Sequence, residues 1–146
     1  MKMELRTEIV IEATPGKIWG ILTAFDRYPD WNPFIKFIEG EQKVGAKIRA
    51  QIAPPGAKGM TFKPTVLAFE KEKEFKWIGR LLFPGLFDGE HRFQLIDNGN
   101  GTCTFIQAER FKGILVPLFK KMLETNTLEG FHTMNRHLKE EAERLY

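Results

Sequence analysis

Residues 117–146, PLFKKMLETNTLEGFHTMNRHLKEEAERLY, place Phe119, Leu123, Thr127, Gly130, Met134, Leu138, Ala142 and Leu145 at steps of three or four. That spacing draws an apolar stripe along a single long helix, about 40 Å at 1.5 Å per residue. From Phe34 up to this helix the period is that of strands instead. Apolar runs at roughly 34–39, 46–53, 60–70, 74–82, 87–97 and 102–112 are separated by GEQKVGA, PPGAKG, EKEKE, FPG and DNGNG, which are turn chemistries. Connections this short join antiparallel neighbours, because parallel ones need crossover helices. With an earlier strand at 3–12 the count is seven, and a seven-stranded antiparallel sheet facing one long helix buries both only by curling around it. The expected class is α+β, a single domain over 1–146. Leu123, Met134 and Leu138 should be buried. Gly130 should sit where the helix approaches the sheet or the first strand most closely, since glycine otherwise costs about 1 kcal/mol in a helix interior.

The chain opens with MELRTEIVIE, in which Leu5, Ile9 and Ile11 share strand parity. Thr14 then offers an N-cap hydroxyl and Pro15 occupies a first helical position that tolerates proline. Ile18, Trp19, Leu22 and Phe25 give the resulting short helix one apolar face. FDRYPDWNPFIKF follows, with five aromatic rings around two prolines that forbid a regular helix or central strand. The rings suit a packing wedge that turns the chain; alternatively Trp31 or Asn32 touches a ligand.

Charge excludes one large class of function. Lysine and arginine number 22 against 19 acidic residues, a net +3, and the basic residues are scattered rather than gathered in a stripe, so nucleic acid is not an expected partner. Cys103, the single cysteine, has no disulfide partner and no ligand-spaced neighbour, so neither a metal nor a cofactor is expected. His132 and His137 stand five apart, on different helix faces, and are read as surface residues. No secretory leader or membrane-length apolar run is evident; a cytoplasmic protein without stable membrane insertion is expected, as a monomer or weak homodimer. Thirteen phenylalanines against two tyrosines point to greasy interiors.

The element order, together with ATPGKIW, YPDWNPFI, VGAKI, GEHRF, GTCTFIQAERFKG and GFHTMNRHLK, resembles the helix-grip fold of the SRPBCC superfamily. That superfamily includes START lipid-transfer domains, pollen-allergen-type carriers and polyketide cyclase/dehydrase-like proteins. The resemblance spans nearly the whole chain and is closest to small bacterial members of unassigned function. It implies a cavity between sheet and last helix, with two short helices forming a V beneath one end of that helix. It also implies binding of a small lipid-like, aromatic or polyketide-like molecule, with a cyclase or dehydratase, or a chaperone-cofactor-like interaction domain, as the alternatives.

Two strands carry the candidate chemistry. His91 shares parity with Phe87, Phe93 and Leu95, and Glu109 shares it with Phe105, Gln107 and Phe111; the apolar parity is the inward one. If DNGNG forms a three-residue loop with a glycine bulge, positions equidistant from it face each other and His91 lies opposite Glu109. Such a buried pair could brace the sheet, orient a ligand or act as acid and base. A pocket of about 300–1,000 Å³ is expected, lined by Trp31, Phe62, Val66, Trp77, Phe93, Phe105, Gln107, Phe119, Leu123 and Thr127, with His91 and Glu109 at its polar end. LLFPGLF, residues 81–87, is too apolar to leave in water, so it either caps the mouth or meets a partner. Lys120 and Lys121 read as a solvated helix face.

Overall fold

The computed structural model describes residues 2–144. Strand β1 (Lys2–Ile11) turns Leu5, Thr7 and Ile11 inward. Thr14 then caps helix α1 (Pro15–Thr23) through an Oγ1 that accepts the Lys17 N–H at 3.2 Å, and the helix buries Ile18, Trp19 and Leu22. A 3₁₀ turn (Phe25–Arg27) and helix α2 (Tyr28–Trp31) follow.

The proline-broken aromatic stretch is the predicted wedge. Phe25 and Tyr28 meet edge to face at 5.8 Å, and Tyr28 and Trp31 at 5.3 Å. The Tyr28 hydroxyl donates to the Leu22 carbonyl at 2.7 Å, and burial pushes its phenol well above the usual tyrosine range. Asn32 does not touch the cavity described below; its Oδ1 accepts the N–H groups of Phe34 and Ile35 at 3.0 and 2.8 Å, which turns the chain into β2 (Ile35–Glu39).

The remaining strands are β3 (Arg49–Ile52), β4 (Met60–Phe62), β5 (Thr65–Glu70), β6 (Glu74–Arg80), β7 (Asp88–Asp97) and β8 (Cys103–Lys112). Every pairing is antiparallel. The count corrects the expectation of seven strands in one sheet: there are eight, in a five-stranded sheet ordered β1-β8-β7-β6-β5 and a three-stranded sheet ordered β2-β3-β4. The run read as 60–70 breaks at Lys63 and Pro64. Proline has no N–H to give a ladder, but its carbonyl accepts the Ile48 N–H at 2.9 Å. With Gly45 donating to Val66 and Val66 to Ala46, each at 2.9 Å, the two sheets stay side by side.

The C-terminal helix begins at Val116 and is not one regular rod. α3 (Val116–Met122) passes through a π-helical turn (Leu123–Thr127) into α4 (Leu128–Glu143). Leu145, placed on the same stripe by sequence, lies outside the described residues. α4 packs mainly on β1, with further contacts to β8 and α1, and buries Gly130, Phe131, Met134, Asn135, Leu138 and Ala142. Gly130 is buried as expected, but the atoms a Cβ there would meet are those of the Phe34 ring, in the turn that leads into β2, rather than those of β1.

Candidate ligand-binding site

Aromatic packing divides the space between sheet and helix into a filled half and an open half. In the filled half Phe25, Phe69, Trp77 and Phe93 all meet Phe75 at ring distances of 5.3–5.9 Å, and Phe93 stacks on Phe105 at 6.0 Å. The open half lies between α3 with the π turn, the three-stranded sheet and the β6–β7 connection. It holds a cavity of about 290 Å³, at the small end of ligand pockets.

Its apolar lining is Phe34, Ile52, Pro54, Met60, Phe62, Trp77, Leu81, Phe87, Phe111, Phe119, Met122 and Leu123; Lys58, Arg80, Glu109 and Thr127 add polar groups. Gly79 and Gly89 also line it and face each other across β6 and β7. A glycine pair in a strand interior marks a place where something else comes close. A Cβ on Gly89 would collide with Glu109 Oε2, so the missing side chain is what lets that carboxyl occupy the cavity wall.

The β7–β8 hairpin closes over Gly99, Asn100 and Gly101, with the Asn98 N–H donating to the Thr102 carbonyl at 3.1 Å and both glycines at positive φ. This register sets His91 opposite Glu109. His91 Nδ1 stands 3.0 Å from Glu109 Oε1, and its Nε2 stands 3.0 Å from Gln107 Oε1. Trp77 stacks on the imidazole at 5.0 Å, and Phe93 and Phe131 pack around it. The chain of polar groups continues inward. Gln107 Nε2 donates to Asn135 Oδ1 at 2.8 Å, Asn135 Nδ2 donates to Thr7 Oγ1 at 2.8 Å, and Thr7 donates back to the Gln107 carbonyl at 2.9 Å. His91 is 1 % exposed, whereas the Glu109 side chain is 16 % exposed, so the carboxyl is the end of the chain that meets the cavity.

Of the residues singled out by sequence, Phe62, Trp77, Glu109, Phe119, Leu123 and Thr127 line the cavity. The others do not. Trp31 is buried in the wedge against Tyr28, and Val66 is buried beside Trp77 in the β5–β6 pair. Phe93 and Phe105 are fully buried in the aromatic half, packed on Phe75, Trp77 and each other, and do not line the cavity. His91 and Gln107 stand behind Glu109 rather than at the wall. The 81–87 segment splits: Leu81 and Phe87 face inward, with Phe87 against Phe119 at 5.2 Å, while Leu82 and Phe83 stand out in solvent. Ile114 and Leu118 are also exposed. His132 and His137 lie on the surface. Among the described residues no three His, Cys, Asp or Glu side chains gather as a metal set.

The lining residues Ile52, Pro54, Met60 and Met122 were missed, and so were Gly89, Thr7 and Asn135. Each of these last three had a signal, Gly89 as a glycine inside a strand, Thr7 on the parity of Leu5, and Asn135 one turn beyond Phe131 on the buried face of α4.

Comparison with known proteins agrees with this architecture. The family model described as polyketide cyclase / dehydrase and lipid transport matches residues 2–143. The chain belongs to that family. No curated protein sequence matches it. Among solved structures it is similar to the Zhui aromatase/cyclase from Streptomyces sp. R1128, with a TM-score of 0.79, 13 % identity, and coverage of 99 % of this chain and 95 % of that one. It is also similar to norcoclaurine synthase from Thalictrum flavum, with a TM-score of 0.72, 15 % identity, and coverage of 100 % and 96 %. A third is the protein TTHA0849 from Thermus thermophilus, with a TM-score of 0.73, 14 % identity, and coverage of 96 % and 97 %. At these identities the likeness is one of fold. No helix among the described residues is long and apolar enough to cross a membrane.

Proposed function

We propose that this protein binds a small, largely apolar, ring-bearing molecule in the cavity between the π turn and the sheets, held by burial and oriented by Glu109. The observation that carries this reading is a wall of large apolar side chains into which one carboxyl projects, backed by a hydrogen-bonded chain that fixes its position. Its Oε1 is paired with His91, as a partly buried carboxyl requires, and its Oε2, over Gly89 at the cavity wall, is left for a ligand to meet. The family description, polyketide cyclase / dehydrase and lipid transport, and the aromatase/cyclase likeness favour the same class of ligand.

Native mass spectrometry of the purified protein, before and after addition of naphthalene-sized compounds, tests it. A one-to-one adduct that disappears in Leu123→Trp, which fills the cavity, is the expected result. An adduct of unchanged abundance in that variant would place binding elsewhere.

A second reading, acid–base turnover of the bound molecule, is favoured by the contact of His91 with a carboxyl that itself reaches the cavity. Under that reading Glu109→Gln lowers turnover by about 10²–10⁴-fold while leaving an adduct in the mass spectrum.

A further inference from the structure

The direction of the hydrogen-bond chain behind Glu109 restricts which ligands the cavity accepts. Two backbone carbonyls, which can only accept, anchor its far end. The Gln107 carbonyl takes the Thr7 hydroxyl proton, which leaves Thr7 Oγ1 to accept from Asn135 Nδ2. Asn135 therefore turns its Oδ1 towards Gln107, and the Gln107 amide nitrogen must face it. That nitrogen also lies 3.4 Å from the Phe131 carbonyl, so flipping the amide would set lone pairs against lone pairs twice. Gln107 Oε1 is then fixed towards His91 Nε2, which must carry a proton.

With Nε2 protonated, one more proton is needed on the 3.0 Å line between His91 Nδ1 and Glu109 Oε1. It sits either on the imidazole, beside a carboxylate, or on Oε1, beside a neutral imidazole. Both placements leave Glu109 Oε2 without a proton. This second oxygen stands over Gly89 at the cavity wall and makes no hydrogen bond among the described residues. Whichever atom holds the shared proton, the cavity meets an acceptor.

We propose that the site selects apolar ring compounds carrying a hydrogen-bond donor, a phenolic or alcoholic hydroxyl or an N–H, over the same compounds carrying none or carrying a carboxylate. The proposal rests on the cavity reading above and names its ligand class. Gln107, Asn135 and Thr7 act in it as positioning residues, since they reach the ligand only through His91 and Glu109. Lys58 and Arg80 also line the cavity and would favour an anion seated near them, so a carboxylate compound is the natural competitor.

The test is a matched series, naphthalene, 2-naphthol and 2-naphthoate, titrated into the full chain with Trp fluorescence and calorimetry as readouts. 2-Naphthol is expected to bind about ten-fold or more tighter than naphthalene, the value of a hydrogen bond to a charged or strongly polar acceptor, and 2-naphthoate more weakly than naphthalene. Glu109→Gln supplies a second arm. Its amide N–H₂ is drawn to the Nδ1 lone pair and its carbonyl is left facing the cavity, so the preference for 2-naphthol should survive, reduced. Glu109→Leu should abolish it. Equal binding of naphthalene and 2-naphthol, or tightest binding of 2-naphthoate, overturns the donor rule while leaving the cavity reading intact. Failure of all three compounds to bind the unmodified chain overturns both.

Discussion

Two glycine-to-alanine substitutions, both in helices, should move stability in opposite directions. Gly20 lies in α1 with nothing within 4 Å of the position a Cβ would take, and it is exposed. Gly20→Ala should therefore realise the ordinary helix-propensity gain of about 1 kcal/mol. Gly130 has the same propensity to gain. Its Cβ, however, would enter the ring of Phe34, which is 2 % exposed and held edge to face on Phe131 at 5.6 Å. Moving a buried ring out of such a place costs about 1–3 kcal/mol, so Gly130→Ala should lose about 1 kcal/mol net. At about 2–4 °C per kcal/mol for a chain of this size, the two variants should melt on either side of the unmodified protein. Urea unfolding with unchanged slope measures the same difference as a shift in midpoint. Because Phe34 also lines the cavity, only Gly130→Ala should weaken ligand binding as well. A Gly130→Ala protein as stabilised as Gly20→Ala would refute the claim that α4 is seated by contact with Phe34.

Thr7→Val removes the hydroxyl that joins Asn135 to the Gln107 carbonyl and should cost about 1–3 kcal/mol in chemical denaturation, because buried polar partners are left unsatisfied. The Glu143 carboxylate accepts the Glu12 N–H at 2.8 Å and pairs with Lys139, which together hold its carboxyl below the usual range. A lowered folded-state value means that this stability is present above the ordinary carboxylate range and is lost as pH falls through the folded-state value. Glu143→Gln should thus be less stable than the unmodified chain at neutral pH, by about 0.5–1 kcal/mol, with the gap closing in acid melts. Burial pushes the Cys103 thiol up, so a disulfide reagent should label it only at the rate of unfolding.

Periodicity exposed most of the architecture. The alternation of His91 with Phe93 and of Glu109 with Phe105, plus a glycine-rich hairpin, was enough to place two residues 18 apart in sequence within 3.0 Å. The stripe on 117–146 marked the helix, and Gly130 its contact. Local pattern did not reveal how the interior divides. Phenylalanine reads the same whether it fills space, as Phe93 and Phe105 do, or lines it, as Phe62 and Phe119 do, because that depends on which rings meet across strands distant in sequence. The sheet break at Pro64 was visible as a proline within an apolar run, but its outcome depended on Ile48 being there to use its carbonyl. The π turn left no trace in the spacing, since Leu123 and Thr127 stay four apart on the stripe while both remain buried.

An amide-resolved NMR titration with 2-naphthol tests the central claim, that the open half of the interior receives the ligand, most directly. Shifts should concentrate at Trp77, Gly89, Glu109 and Leu123 around the cavity, and leave Trp19 and Leu138, in the filled part of the core, unmoved. Saturating shifts confined to the outer face of the sheet, or none at all, would contradict it.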